Sequence, residues 1–136
     1  TDLGAVFVVK SGKAHLWSTN PLLKGANGLA EKRGELFIGA SGHLLEANPK
    51  TGKIKVVARV AGGIDGLIPL GNGRFILSDW AGKIQLISAD KASVVLSNTT
   101  KQKINAADLG FIPGKKIILI PTFFDNRVVA EQLMVF

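Results

Sequence analysis

Three short runs place an oxygen-bearing side chain at the head of an apolar segment: Asn27 in NGLA, Asp65 in IDGL, and Asn105 with Asp108 in NAADLG. Two others close apolar segments with an acid or aromatics: Asp79-Trp80 after RFILS, and Phe123-Phe124 after KIILIPT. Carboxylate and amide oxygens without accompanying His or Cys suit a hard cation such as Ca2+ or Mg2+ better than zinc. Aromatic walls beside such oxygens equally suit a small-ligand pocket. Asp65 is the leading candidate. A plainer reading stands beside each of these. Asn27 and Asp65 before Gly are also ordinary turn residues that tolerate left-handed backbone, and Asp79 and Trp80 also read as a turn acid and a packing aromatic. His15 and His43 stand alone on predicted strands and read as surface or satisfied core histidines. Arg127, after Asp125-Asn126, reads as a hairpin residue.

These residues converge only if the segments between them are strands arranged so that starts and ends meet. The pattern predicts such strands. AVFVV and AHLW flank a turn at Ser11-Gly12-Lys13, and an irregular stretch, STNPLLKGA, follows. A cycle then begins at Asn27: NGLA, a turn at Glu31 to Gly34, ELFIGA, HLLEA, the turn NPKTG and KIKVVARV. The NPKTG turn has Pro49 to preset φ and Gly52 for a left-handed position. A second cycle runs IDGLIPL, RFILSDW, KIQLIS, SVVLS, with turns at Gly71-Asn72-Gly73, Ala81-Gly82 and Ala89-Asp90-Lys91. A third runs NAADLGFIP, KIILIPTF, RVVAEQLMVF, with turns at Gly114-Lys115 and Asp125-Asn126. Asn27-Gly28-Leu29 falls on Asp65-Gly66-Leu67 at an offset of 38 residues, and Leu67 on Leu109 at 42. In the third cycle Ala107 takes the place of Asp65, and Asp108 that of Gly66. Helical periodicity is absent.

A repeat of about 40 residues with four strands per repeat is the sequence sign of an all-β fold, the β-propeller, in which each repeat is one blade. In an up-and-down blade the start of the first strand and the end of the second share one face. Asn27, Asp65 and Asn105 should therefore meet Asp79, Trp80, Phe123 and Phe124 at one mouth of a channel, with Asn105, Asp108, Asp79, Trp80, Phe123 and Phe124 lining it. The expected boundaries are 1–23 for the end of one blade, 24–61 and 62–100 for two blades, and 101–136 for a last blade lacking its outer strand. The opening pair is expected to be a second and a third strand. About three blades do not close a ring of four to eight. The expectation is half of a six-bladed propeller, completed by a companion chain or a second copy.

Composition excludes several alternatives. The chain has 136 residues, 46% hydrophobic and 20% charged, which describes a globular domain and not a disordered one. There is no run of 18 apolar residues, so a membrane span is not expected. The absence of cysteine removes disulfides and thiolate chemistry. The net charge of +7 raises the question of nucleic acid. Its lysines, however, lie singly in turns (Lys13, Lys50, Lys53, Lys83, Lys91), or in pairs with no interleaved aromatics (Lys101 with Lys103, Lys115 with Lys116). A solvated surface is the expectation, with neither nucleic acid nor membrane as partner. No GxSxG, HExxH or GxxxxGK[ST] motif is present.

The NGLA of Asn27 to Ala30, the IDGL of Ile64 to Leu67 one repeat later, and the ending PTFFDNRVVAEQL together resemble the C-terminal half of the SMP-30/gluconolactonase/LRE-like propellers, from Leu22 onward. The resemblance implies a six-bladed propeller with a divalent cation, usually calcium, in its channel. Of that family's four ligands, Asn27 would match one Asn and Asp65 the Asp, while the Glu and the second Asn would lie upstream of Thr1. It further implies a metal-dependent hydrolase of the lactonase or ester class acting on a small-molecule substrate. The cation would polarise the carbonyl, and Asp65 would be the catalytic residue assisting water. Export to the periplasm or beyond is also consistent with such relatives. A non-catalytic propeller that binds ligands or scaffolds partners is the alternative, favoured by the incomplete ligand set and the apolar Phe123-Phe124 loop.

Overall fold

A computed structural model describes residues 3–134 of the chain, and every strand pairing in it is antiparallel. The last two residues of the predicted final strand, 135 and 136, lie outside the described residues. Among the described residues thirteen strands form four sheets, linked by tight turns and single 3-10 turns. The hairpins Ser11-Gly12, Arg33-Gly34 and Asn72-Gly73 each put two successive residues at positive φ, the mirror-image geometry that follows the right-handed twist of paired strands. Asn48 anchors the NPKTG turn by accepting the Lys50 and Thr51 N–H groups on Oδ1, at 3.0 and 2.9 Å, and Gly52 takes φ 71°.

The chain divides into two compact units, the first ending at Ile64 and the second beginning at Asp65. The first unit holds a two-stranded sheet, β1 (Val6–Lys10) and β2 (Lys13–Ser18), and a four-stranded sheet. The latter runs in chain order through β3 (Leu29–Lys32), β4 (Glu35–Ala40), β5 (His43–Ala47) and β6 (Ile54–Arg59). Val6, Leu23, Ala26, Ile38, Ala40, Leu45 and Ala47 form its core, with Trp17 and Ile54 packed at the margin. The Trp17 indole also donates to the Pro49 carbonyl at 3.2 Å, tying β2 to the β5–β6 turn. Phe7, Val9 and Leu16 of the two-stranded sheet stay exposed.

The second unit repeats the plan. A four-stranded sheet comprises β7 (Leu67–Gly71), β8 (Arg74–Asp79), β9 (Lys83–Ile87) and β10 (Ser93–Asn98). A three-stranded sheet comprises β11 (Gly110–Ile112), β12 (Ile117–Pro121) and β13 (Val128–Gln132). Ile68, Ile76, Ile84, Ala106, Ile118, Ile120 and Leu133 are its buried core, flanked by Phe111, Leu96 and Val129. Burying such branched side chains contributes about 1.5–3 kcal/mol each, the main term holding the two sheets together.

Bulges interrupt four strands: pairing slips by one residue at Trp17 on β2, at Val57 on β6, at Leu70 on β7 and at Leu96 on β10. Strands β6 and β10 are the outermost of their sheets, where an extra residue twists the edge away from further pairing. Eight residues lie between Ser18 and Asn27 and eight between Asn98 and Ala107, each connection holding one 3-10 turn. The first sheet is a two-stranded antiparallel pair, β1 with β2.

Candidate functional site

The three repeats can be aligned by hydrogen bonds. The Asn27 N–H donates to Gly39 O at 2.9 Å, the Asp65 N–H to Ser78 O at 2.9 Å, and the Ala107 N–H to Pro121 O at 3.0 Å. Asn27, Asp65 and Ala107 therefore occupy one backbone position, the residue that starts the pairing of first and second strands. This is the alignment read from sequence, with Ala107 standing where the other two repeats have an oxygen-bearing side chain. Regular strand structure begins two residues later, at Leu29 and Leu67. Asn27 is exposed and belongs to the first unit; Asp65 is half-buried and heads the second.

Within the second unit, antiparallel alternation brings the start of β7, the β8–β9 turn, the approach to β11 and the β12–β13 loop to one end. The aromatic residues singled out in the sequence meet there. The Trp80 ring centroid lies 5.0 Å from that of Phe123 and 6.1 Å from that of Phe124, and the two Phe rings are 4.9 Å apart, all edge to face. Trp80 is 43% exposed, Phe123 59% and Phe124 74%. Phe123 sits at φ 45°, a left-handed backbone that a bulky residue rarely adopts. Asn105 joins the group by donating its amide to the Trp80 carbonyl at 3.0 Å. Arg127, on the far side of the loop, pairs with Asp125.

The acids have local partners. Asp79 Oδ1 accepts the Ala81 N–H at 2.7 Å, which closes the β8–β9 turn, and Asp108 Oδ1 accepts the Leu109 N–H at 2.9 Å. The Asn105 amide nitrogen is likewise committed, to the Trp80 carbonyl. Among the described residues no three His, Cys, Asp or Glu side chains gather where they could hold a metal ion. His15 is exposed on β2, and the His43 ring nitrogen sits 3.0 Å from the Ser41 carbonyl.

Ser78 was not singled out by sequence reasoning, yet it organises this end of the unit. It is fully buried; its Oγ accepts the Gly66 N–H at 2.7 Å and donates to Ala107 O at 2.6 Å, bridging the heads of two successive first strands. The first unit has Gly39 at the same position, and there the Gly28 N–H reaches Ile64 O directly at 3.5 Å. The only sequence signal was a serine closing an otherwise apolar RFIL run.

A chain from a crystal structure of a nidogen/laminin complex superposes with a TM-score of 0.74 at 14% identity, over 96% of this chain and 52% of that one. The chain thus spans about half the length of that neighbour. The computationally designed Ika4 protein matches with a TM-score of 0.59 at 16% identity, covering 90% of this chain and 74% of that one. An extracellular domain of the putative one-component system BT4673 of B. thetaiotaomicron matches at 0.55 and 21% identity, over 77% of this chain and 15% of that one. No protein-family model matches the chain, and no curated protein does. The repeated antiparallel sheets and the nidogen-type neighbour define the class as an all-β protein of the β-propeller fold.

Proposed function

We propose that the chain is a non-catalytic binding module on a β-propeller scaffold, and that Trp80, Phe123 and Phe124 of the second unit are its contact residues for a protein partner. One observation carries this reading: three aromatic rings lock together edge to face while remaining 43–74% exposed. Rigid, half-exposed aromatics lose little conformational entropy on binding and are the residues that most often dominate interface energetics. The left-handed backbone of Phe123 costs on the order of 1–3 kcal/mol; such a cost fits a ring placed for contact rather than for stability. The nidogen/laminin neighbour was itself crystallised in a protein complex, in agreement with a propeller used for interaction.

The test is a peptide-display selection on the wild-type chain, with the recovered peptides measured against Trp80→Ala and Phe124→Ala. Binding should weaken about thirtyfold or more, the effect of a hot-spot residue, with the melting temperature of each variant unchanged. Peptides that bind the variants as tightly as the wild type would remove this surface from consideration.

A second reading is a metal-dependent lactonase or esterase using Ca2+ or Mg2+, with Asn27 and Asp65 as ligands and Asp65 assisting water. It is supported by the motif resemblance and by the shared ladder position of Asn27 and Asp65. It requires further oxygen ligands beyond those described above. Millimolar calcium should then raise the melting temperature, and Asp65→Asn should abolish lactone turnover. If neither happens, the binding module stands alone.

A further inference from the structure

The second unit has a half-open cavity of about 150 Å3 between β10 and β13, walled by Ile84, Ile104, Ile120 and Val129, with Asn105 and Arg127 also in its lining. Its polar side chains show a one-sided chemistry. Thr99 gives its hydroxyl hydrogen to backbone oxygen, with Ile104 O at 2.7 Å and Gly82 O at 3.1 Å. Thr122 gives its own to Arg127 O at 3.0 Å, and Ser97 donates to Glu131 Oε1 at 3.2 Å. The Arg127 guanidinium is turned to Asp125. Each hydroxyl described at the wall thus gives its hydrogen to a protein acceptor, and a carboxylate accepts without donating.

Glu131 alternates with exposed neighbours on β13, so its side chain shares the inward face with Val129. It is half-buried, and its described partner is the Ser97 hydroxyl. Glu131 is in neither of the described ion pairs, Lys55–Glu46 and Arg127–Asp125. A half-buried carboxylate whose described partner is one neutral hydroxyl favours a guest that brings a positive charge together with N–H donors.

We propose that this cavity is a binding site for a primary ammonium group on a short aliphatic stem, with Glu131 and the Ser97 hydroxyl oxygen receiving the ammonium and Ile84, Ile104, Ile120 and Val129 enclosing the stem. The chemistry is shared by a free short alkylamine and by the end of a lysine side chain on a peptide. The cavity borders the aromatic cluster through Asn105 and Thr122.

The test is an NMR titration of the full chain, following the methyl groups of Ile84, Ile104 and Val129, with n-propylammonium chloride and with Nα-acetyl-lysine methylamide. Saturable shifts with either amine in the millimolar range are expected, and the tighter of the two identifies the source. Glu131→Gln should weaken binding about tenfold or more, while Glu46→Gln, in the first unit, should leave it intact. On the wild-type chain, n-propanol and potassium chloride serve as the neutral isostere and the bare cation, so the result does not depend on any variant folding. Equal shifts with propanol or potassium, no saturation by either amine, or a folded Glu131→Gln chain that binds as the wild type does would each overturn the proposal.

Discussion

Ser78 has no solvent-exposed surface, and its hydroxyl both receives the Gly66 N–H and gives its hydrogen to Ala107 O. Removing it leaves a buried donor and a carbonyl without their described hydroxyl partner at once, and each unsatisfied buried group costs about 1–3 kcal/mol. Ser78→Ala should therefore lower unfolding free energy by about 2–4 kcal/mol in urea denaturation, although the change removes a single oxygen. A loss below about 0.5 kcal/mol, the ordinary surface effect, would show that the bridge contributes little. The sequence marked Asp79 and Trp80 beside it as candidates. The structure gives the acid a local role, closing the turn to Ala81, and gives the aromatic the exposed one. A side chain's type was legible; whether its oxygen faces its own backbone or a ligand depended on turn geometry that no spacing specifies.

Close approach at the heads of the first strands sets which glycines are required. A Cβ at Gly66 would lie 2.6 Å from the Leu109 nitrogen and 2.7 Å from Ser78 Oγ, so no side chain fits there. Gly114, in the 3-10 turn between β11 and β12, has nothing within 4 Å of such an atom. Gly66→Ala should cost about 2 kcal/mol or more in thermal unfolding, through overpacking. Gly114→Ala should lie within about 0.5 kcal/mol of the wild type. Comparable effects of the two would contradict the packing described. In the sequence both read simply as turn or strand-head glycines. The hairpins themselves were readable, because Asn72-Gly73 and the Asn48-to-Gly52 turn carry residues chosen for positive φ or for capping a turn. The recurring bulge was not readable: Trp17, Val57 and Leu96 are ordinary strand residues, and the slip shows only against a partner strand.

At the level of the whole chain, composition and period determined the class. Alternating apolar runs of four to eight residues, punctuated by Gly and Asn turns and repeated every 38 to 42 residues, leave little besides stacked four-stranded antiparallel sheets, because each sheet must bury a face on the next. The period also fixed the equivalence of Asn27, Asp65 and Ala107, since one pairing register repeats with it. Tertiary structure alone decided what those positions and their neighbours do. It brought Trp80 against Phe123 and Phe124 across more than forty residues, turned Asp79 and Asp108 toward backbone N–H groups, and set Glu131 half-buried in the lining of a cavity. The physical reason is one of range. Strand formation and turn choice are governed by residues a few positions apart, which the sequence states directly. The Asp65 position follows from strand pairing, whereas hydrogen-bond satisfaction, ring contact and charge pairing depend on groups that meet only when the sheets pack.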